Sequence, residues 1–429
     1  MPESRVVLTV LAAATLPLTA LAQDCDPIEI FAPQMAYDAG ATPLSIDLAD
    51  LDGDGDADMA VANYISNDVS VLLNNGDGTF ASQVRYEVGE LPWSVAIGDL
   101  DSDGDGDLAV SSRDSDSVSV LRNHGDGTYA PEVRYRVVGG PVSLVMGDLD
   151  SDGHADLAVA CPLTNGVSVL LNNGDGTFAR EVQYRAGVRA FGVAIGDLDG
   201  DGDADLAVAN SSSADVSLLL NAGDGTFPTQ LRHDAGDQPN NVAVGDLDGD
   251  GDADLVVANG DSLGIGVLLN DGNAVFAPAV FYDAVYGYGS LVIDDVDGDG
   301  DADLVLGNAS ALDVSVFLNK GDGTFAPRVP LSAGLEPIGL QLGDLDGDGD
   351  PDLAVTDASN DNVTVLLNRC GPFPCPADLD GDGVLTIFDF LAFGNLFDLM
   401  DPIADFDGDG DFTIFDFLSF QSAFAAGCP

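Results

Sequence analysis

Short apolar runs separated by Gly- and Asp-rich turns fill most of the chain. Ser94-Val95-Ala96-Ile97-Gly98 reads as a strand entering an acidic loop, Asp107-Leu108-Ala109-Val110 as a second strand, and Val118-Ser119-Val120-Leu121 as a third with period-two alternation. Gly125-Asp126-Gly127 supplies a hairpin turn, and Tyr129 to Tyr135 reads as the fourth strand. The acidic loop sets the period. Asp50-Leu51-Asp52-Gly53-Asp54-Gly55-Asp56-Ala57-Asp58 returns at Asp99, Asp148, Asp197, Asp246, Asp295 and Asp344, a step of 49 residues in seven copies. Four short strands per unit at this period predict an all-β, seven-bladed β-propeller, in which small alanines let the inner strands pack near the axis.

The two ends complete each other. The seventh unit stops after its third strand, at Asn368, while Phe31-Ala32-Pro33-Gln34-Met35-Ala36-Tyr37 has the text of a fourth strand and matches Phe276 to Tyr282. Phe31 stands one period before Phe80, so the N-terminal strand is expected to close blade seven and leave few free sheet edges. In this frame Cys25 falls on Asn74 and Cys370 on Gly76, at the tip of one hairpin, and a Cys25–Cys370 disulfide would clasp the cut blade. Cys375 and Cys428 bracket the C-terminal segment and form a second natural pair, which leaves Cys161 as a buried free thiol.

Charge changes the picture. The chain has 429 residues, with 13 Lys+Arg against 74 Asp+Glu, a net charge of −61. That balance argues against binding nucleic acid through its phosphates or adhering to an anionic membrane surface. Hydrophobic residues make up 45%, enough for a large core, so the acids are expected to serve a cation rather than to signal disorder. Arg5, the apolar stretch from Val6 to Leu18 and Ala20-Leu21-Ala22 read as a signal peptide over residues 1–22, cleaved before Gln23. The mature protein is then expected to be secreted or associated with the cell surface, where cysteines can pair.

Hard cations need several oxygens at once, and Asp at loop positions 1, 3, 5 and 9 with Gly at 6 brings successive carboxylates together. The candidate ligands are Asp50, Asp52, Asp54, Asp56 and Asp58 in the first loop, then Asp99, Asp101, Asp103, Asp105 and Asp107. The third loop offers Asp148, Asp150, Asp152, His154 and Asp156, and the fourth Asp197, Asp199, Asp201, Asp203 and Asp205. The remaining three offer Asp246, Asp248, Asp250, Asp252 and Asp254; Asp295, Asp297, Asp299, Asp301 and Asp303; and Asp344, Asp346, Asp348, Asp350 and Asp352. Position 7, where blade three has His154, can add its carbonyl. Calcium suits this set better than magnesium, which retains its water. Such a loop between the first two strands of every blade resembles the FG-GAP/VCBS repeat family, the calcium-loop propellers related to the N-terminal head of integrin α chains, from about Phe31 to Asn368. The resemblance places a propeller domain at 23–370 and implies structural ions that stiffen one face.

Residues 371–429 read differently. Asp378, Asp380, Asp382, Val384, Thr386 and Asp389 occupy positions 1, 3, 5, 7, 9 and 12 of an EF-hand-type loop, with Gly383 at position 6. Asp405, Asp407, Asp409, Asp411, Thr413 and Asp416 repeat it 27 residues later, and helical text follows each loop. Two loop–helix units with Asp at position 12 resemble a dockerin, a small α-helical calcium-binding domain. The resemblance implies a cohesin-like or surface scaffold partner. The ten phenylalanines between Cys375 and Cys428 exceed the needs of so small a core and favour an exposed docking surface.

For catalysis the text offers little. The three histidines fall in an acidic loop, a neighbouring hairpin and an outer strand, and no Ser/His/Asp order, Cys/His pair or phosphate loop is present. A carboxylate pair for glycoside hydrolysis stays open, because Asp is everywhere. The residue before the first strand varies among otherwise faithful units: Leu44, Trp93, Val142, Phe191, Asn240, Gly289 and Ile338. These are expected to ring the mouth of the central channel, with Arg113, Arg189, Tyr64, Tyr286 and Tyr288 in loops on the same side. An aromatic and an arginine at a rim suit a sugar or an acidic group, although such rings can equally plug a channel. The reading is a secreted, non-catalytic, calcium-stabilised propeller that binds a glycan or protein. The competing reading is an extracellular glycan-degrading hydrolase or lyase using the same rim.

Overall fold

The computed structural model describes residues 30–31, 34–260, 264–284 and 289–368, together with Phe393, Phe417 and Phe420. The expected signal peptide, Cys25, Cys370, Cys375, Cys428, Tyr286, Tyr288 and both C-terminal loops lie outside the described residues.

After a short strand β1 (Met35–Asp38), the first blade is built from β2 (Pro43–Ala49), β3 (Asp58–Asn63), β4 (Asp68–Leu72) and β5 (Val84–Glu87), antiparallel in chain order. Six more four-stranded sheets complete a seven-bladed propeller. β3 and β4 are buried along their length, because each blade is covered on both faces by its neighbours. Their sequence answers with continuous apolar text, Met59-Ala60-Val61-Ala62, rather than alternation. β5 is the outer edge and exposes Val84, Arg85 and Glu87. The expected closure is observed. β1 pairs with Asn362–Leu366, Met35 opposite Val365 and Asp38 opposite Asn362, and Phe31 bridges Asn368.

Two contacts repeat around the ring. Tyr37–Phe80, Tyr86–Tyr129, Tyr135–Phe178, Tyr184–Phe227 and Tyr282–Phe325 meet edge to face across blade boundaries, with centroids 5.1 to 5.5 Å apart. His233 takes the tyrosine place against Phe276 at 5.2 Å. The second contact is a carboxamide. Asn74, Asn123, Asn172, Asn221, Asn270, Asn319 and Asn368 each donate an Nδ2 hydrogen to the carbonyl of the second residue in the preceding blade's acidic loop, at 2.8 or 2.9 Å. Cys161 is fully buried and free, as expected.

Two expectations need correcting. The fourth strand is shorter than its text, Val133–Arg136 in blade two, with Tyr129 reduced to a bridge to Asn123. The first strand is longer, Pro92–Gly98 in the same blade, and contains a bulge.

Candidate functional site

Each inner strand has an acidic loop at one end and the channel mouth at the other. In the first loop Gly53 N–H donates to Asp50 Oδ1 (2.7 Å) and Gly55 N–H to Asp50 Oδ2 (3.0 Å), with Gly55 at φ +99, where a side chain would be strained. Asp54 Oδ1 accepts from Asp56 N–H at 3.0 Å. Asp58 is buried, and its oxygens accept from the Leu51 and Asn74 N–H groups at 2.8 and 2.7 Å. Burial pushes the Asp58 carboxyl up to about 6, and the equivalent Asp303 and Asp352 up to about 7.

The third loop position is where a partner is missing. Asp52 Oδ1 is buried with no hydrogen-bond donor, and so are the Oδ1 atoms of Asp101, Asp150, Asp199 and Asp346. Burial, and next the charge of Asp54, raises the Asp52 carboxyl. Oxygens of Asp50, Asp52 and Asp58 lie within 4.8 Å of one another, as do those of Asp99, Asp101 and Asp107 and those of Asp197, Asp199 and Asp205. In blades three and five the converging oxygens belong to Asp148, Asp150 and Asp152 and to Asp246, Asp248 and Asp250. Acceptor-only oxygens buried beside like charges fit a hard divalent cation.

Side chains at position 7 are not in these five groups. A Cβ on Gly76 would stand 2.5 Å from Asp56 Oδ2, so the glycine makes room for that carboxylate in the neighbouring hairpin. His154 fits against Gly174 in the same way, its Nδ1 3.0 Å from Ser102 Oγ in the loop of blade two. Position 7 therefore accommodates a histidine as readily as an aspartate.

At the opposite end, four blades enter the inner strand through a non-glycine residue in the left-handed region: Thr42, Leu91, Arg189 and Gln238, with φ 58, 53, 62 and 55. A bulge follows, and the strand register skips Leu44, Trp93, Phe191 and Asn240. These residues were expected before the strand. They sit inside it, and the bulge turns them out of the ladder. A channel of about 760 Å³ runs between the inner strands, with Leu44, Trp93, Phe191, Asn240, Gly289 and Ile338 in its lining. Val142 is instead buried in the core between blades three and four.

Trp93 meets Tyr64 edge to face at 5.6 Å and Phe191 at 5.6 Å. The Arg113 guanidinium stands 5.5 Å from the Trp93 centroid, and that of Arg189 stands 5.7 Å from the Phe191 centroid. One aromatic cluster therefore spans blades one, two and four, flanked by two cations. Arg85, Arg122, Arg134, Arg232 and Arg328 pair with carboxylates, whereas Arg113 and Arg189 have rings in that place. Trp93 and Phe191 also pack on the core, so they close the mouth as well as line it.

Two features escaped the sequence reading. The seven asparagines recur at the period of the acidic loops and could have been found. Asp47 lies in the channel wall where other blades have Ala96, Val145, Ala194, Ala243, Val292 and Gln341. It accepts from Ile97 N–H (2.8 Å), Leu48 N–H (3.0 Å) and Gln341 Nε2 (3.1 Å), and burial raises its carboxyl. In the C-terminal segment Phe393 and Phe420, equivalent positions of the two units, are buried and stack at 4.4 Å, so these two rings belong to a core rather than to a docking surface.

Seven four-stranded sheets, each with an acidic loop between its first two strands, define a repeat propeller, and the family follows from the repeats. An FG-GAP-like repeat model matches residues 50–110, 99–159, 148–208, 197–257, 246–306 and 295–355. The chain belongs to the FG-GAP-like repeat family. No curated protein matches it. Among solved structures, BBS1N in complex with ARL6DN, soaked with mercury, is similar with a TM-score of 0.57 at 13% identity, covering 80% of this chain and 97% of that one. The lead-soaked form gives 0.54 at 12%, with the same coverage. A lectin from Agrocybe aegerita, described as recognising non-reducing terminal N-acetylglucosamine, gives 0.48 at 23%, covering 68% of this chain and 80% of that one. At these identities the likeness shows the fold alone.

Proposed function

We propose that the protein is a secreted, non-catalytic propeller, stabilised by calcium in its acidic loops, that binds a glycan or protein ligand at the channel mouth. The C-terminal dockerin-like segment would anchor it to a cohesin-like or surface scaffold. The observation that carries the binding reading is the Tyr64–Trp93–Phe191 cluster with Arg113 and Arg189 at the rim of an open channel. Ile65, Leu163, Val188, Leu312 and Leu335 add exposed apolar surface in connections on the same face. The calcium reading is supported by the orphaned oxygens of Asp52 and its equivalents. A bound ion would offset the carboxylate repulsion, while Asp50 and Asp58 already hold the loop through backbone N–H groups. Asp47 is the one carboxylate among the described channel-lining residues, so the hydrolase reading lacks a second acid there.

Glycan and protein arrays, followed by calorimetric titrations, test the proposal. Trp93→Ala with Phe191→Ala is expected to weaken the identified ligand at least tenfold. Unchanged affinity in that variant would remove the site from the mouth, and turnover of the bound glycan would establish the enzyme reading.

A further inference from the structure

The mouth is not symmetric. Between blades four and five a notch of about 320 Å³ is lined by Arg189, Phe191, Ser211, Ser212, Gln238 and Asn240. Asn240 is 5% exposed, and neither its Nδ2 nor its Oδ1 has a hydrogen-bond partner among the described residues. A buried donor and acceptor left unmade destabilise the fold. The scaffold does not require an amide here, because the same bulged position holds Leu44, Trp93 and Phe191 in other blades. A carboxamide is satisfied by one acceptor and one donor side by side, which the vicinal hydroxyls of a sugar provide. Phe191 offers a ring for the C–H face of that sugar. Arg189, stacked on the ring at 5.7 Å with no carboxylate partner among the described residues, keeps its N–H fork for an anion.

We propose that this notch is a subsite for an acidic sugar, a hexuronate, with its carboxylate on Arg189, its diol on Asn240 and its C–H face on Phe191. The inference rests on the mouth-binding reading and narrows its ligand class. An acidic peptide would satisfy Arg189, and its main-chain N–H and C=O would meet the amide, but it brings no sugar C–H face for Phe191.

The test uses the full-length, calcium-loaded protein. Trimers of galacturonate, glucuronate and mannuronate, each with its carboxyl-reduced neutral counterpart, and a hexaglutamate peptide are titrated by calorimetry and by Trp93 emission. At least one uronate trimer should bind, at least tenfold tighter than its reduced form. Arg189→Gln should weaken that trimer about 10- to 100-fold and erase the preference. Asn240→Ala should weaken binding yet raise the melting temperature of the free protein, because an unpartnered amide is removed; a purely structural asparagine would do the reverse. Equal affinity for acidic and neutral trimers would overturn the acidic subsite while leaving ligand binding at the mouth intact. Tighter binding of hexaglutamate would reassign the notch to an acidic peptide. No response to any of these probes would overturn the subsite, while the arrays alone decide ligand binding at the mouth.

Discussion

Asn172 and Asn173 are adjacent, chemically identical and structurally unlike, which makes them a sharp test of the inter-blade ring. Asn172 is buried and donates to Leu100 O of the preceding blade at 2.8 Å and to Ala155 O of its own at 3.0 Å, while its Oδ1 accepts from Gly174 N–H at 3.0 Å. Asn173 is exposed and donates only to Thr177. Each buried bond contributes about 1 kcal/mol net, and a buried carbonyl stripped of its donor costs about 1 to 3 kcal/mol. Asn172→Ala should therefore cost about 3 kcal/mol, a large part of the roughly 5 to 15 kcal/mol that holds a native fold. Asn173→Ala should cost less than about 0.5 kcal/mol. Urea unfolding in saturating calcium measures both, with the midpoint shift multiplied by a common slope. Amide exchange should also quicken at Gly174, in the hairpin of blade three, and at Leu100, in the acidic loop of blade two. If the two variants lose the same stability, the carboxamide ring does not couple the blades and the reasoning fails.

Excess chelator should lower the melting temperature by more than about 10 °C, since each occupied site contributes about 2.7 kcal/mol when free ion exceeds Kd a hundredfold; an unchanged melting curve would refute structural calcium. In chelator, stability should fall as pH rises from about 4 to about 7. Asp58, Asp303 and Asp352 have folded values raised to about 6 or 7, above the unfolded carboxylate, so their contribution is complete at low pH and lost as pH rises through those values. Cys161 should resist alkylation at pH 8 until urea unfolds the chain, because burial pushes its thiol up to about 12; mass spectrometry of its peptide reads this directly. Peptide mapping without reduction should join Cys25 to Cys370, and a Cys25–Cys161 peptide would break the repeat register on which the closure rests.

Whatever recurs was legible. A contact written seven times at one spacing cannot be read as local accident, so the acidic loops, the four strands and the borrowed strand at Phe31 all followed from the text. The asparagine ring was equally repeated but hidden by a local explanation, since an Asn close to a Gly-Asp-Gly hairpin already suits a turn. The bulge was not legible. Register is a property of paired backbones, and Pro92 and Trp93 read as the lead-in to a strand starting at Ser94 until its partner is in place. The same gap moved Val142 from the expected mouth into the core and concealed that Asn240 is orphaned, which depends on what is absent around it.

The two ends of each inner strand are held by different means, and this separates what the fold needs from what the ligand needs. At the acidic end the Asp58-type carboxylate ties the loop to the hairpin of its own blade, and the Asn74-type amide ties that hairpin to the preceding blade. Changing either breaks a buried bond between secondary-structure elements. At the mouth the bulged residue has left the ladder, so its side chain can be Leu44, Trp93, Phe191 or Asn240 without disturbing the register beside it. The strained left-handed entry at Leu91 or Arg189 is tolerated because the rest of the strand is over-determined by its two neighbours. A closed ring fixed at one face can therefore vary the other face one blade at a time. Under that arrangement the aromatic cluster and the unpartnered amide of Asn240 are features the scaffold permits but does not require, and they are the features the proposed ligand would use.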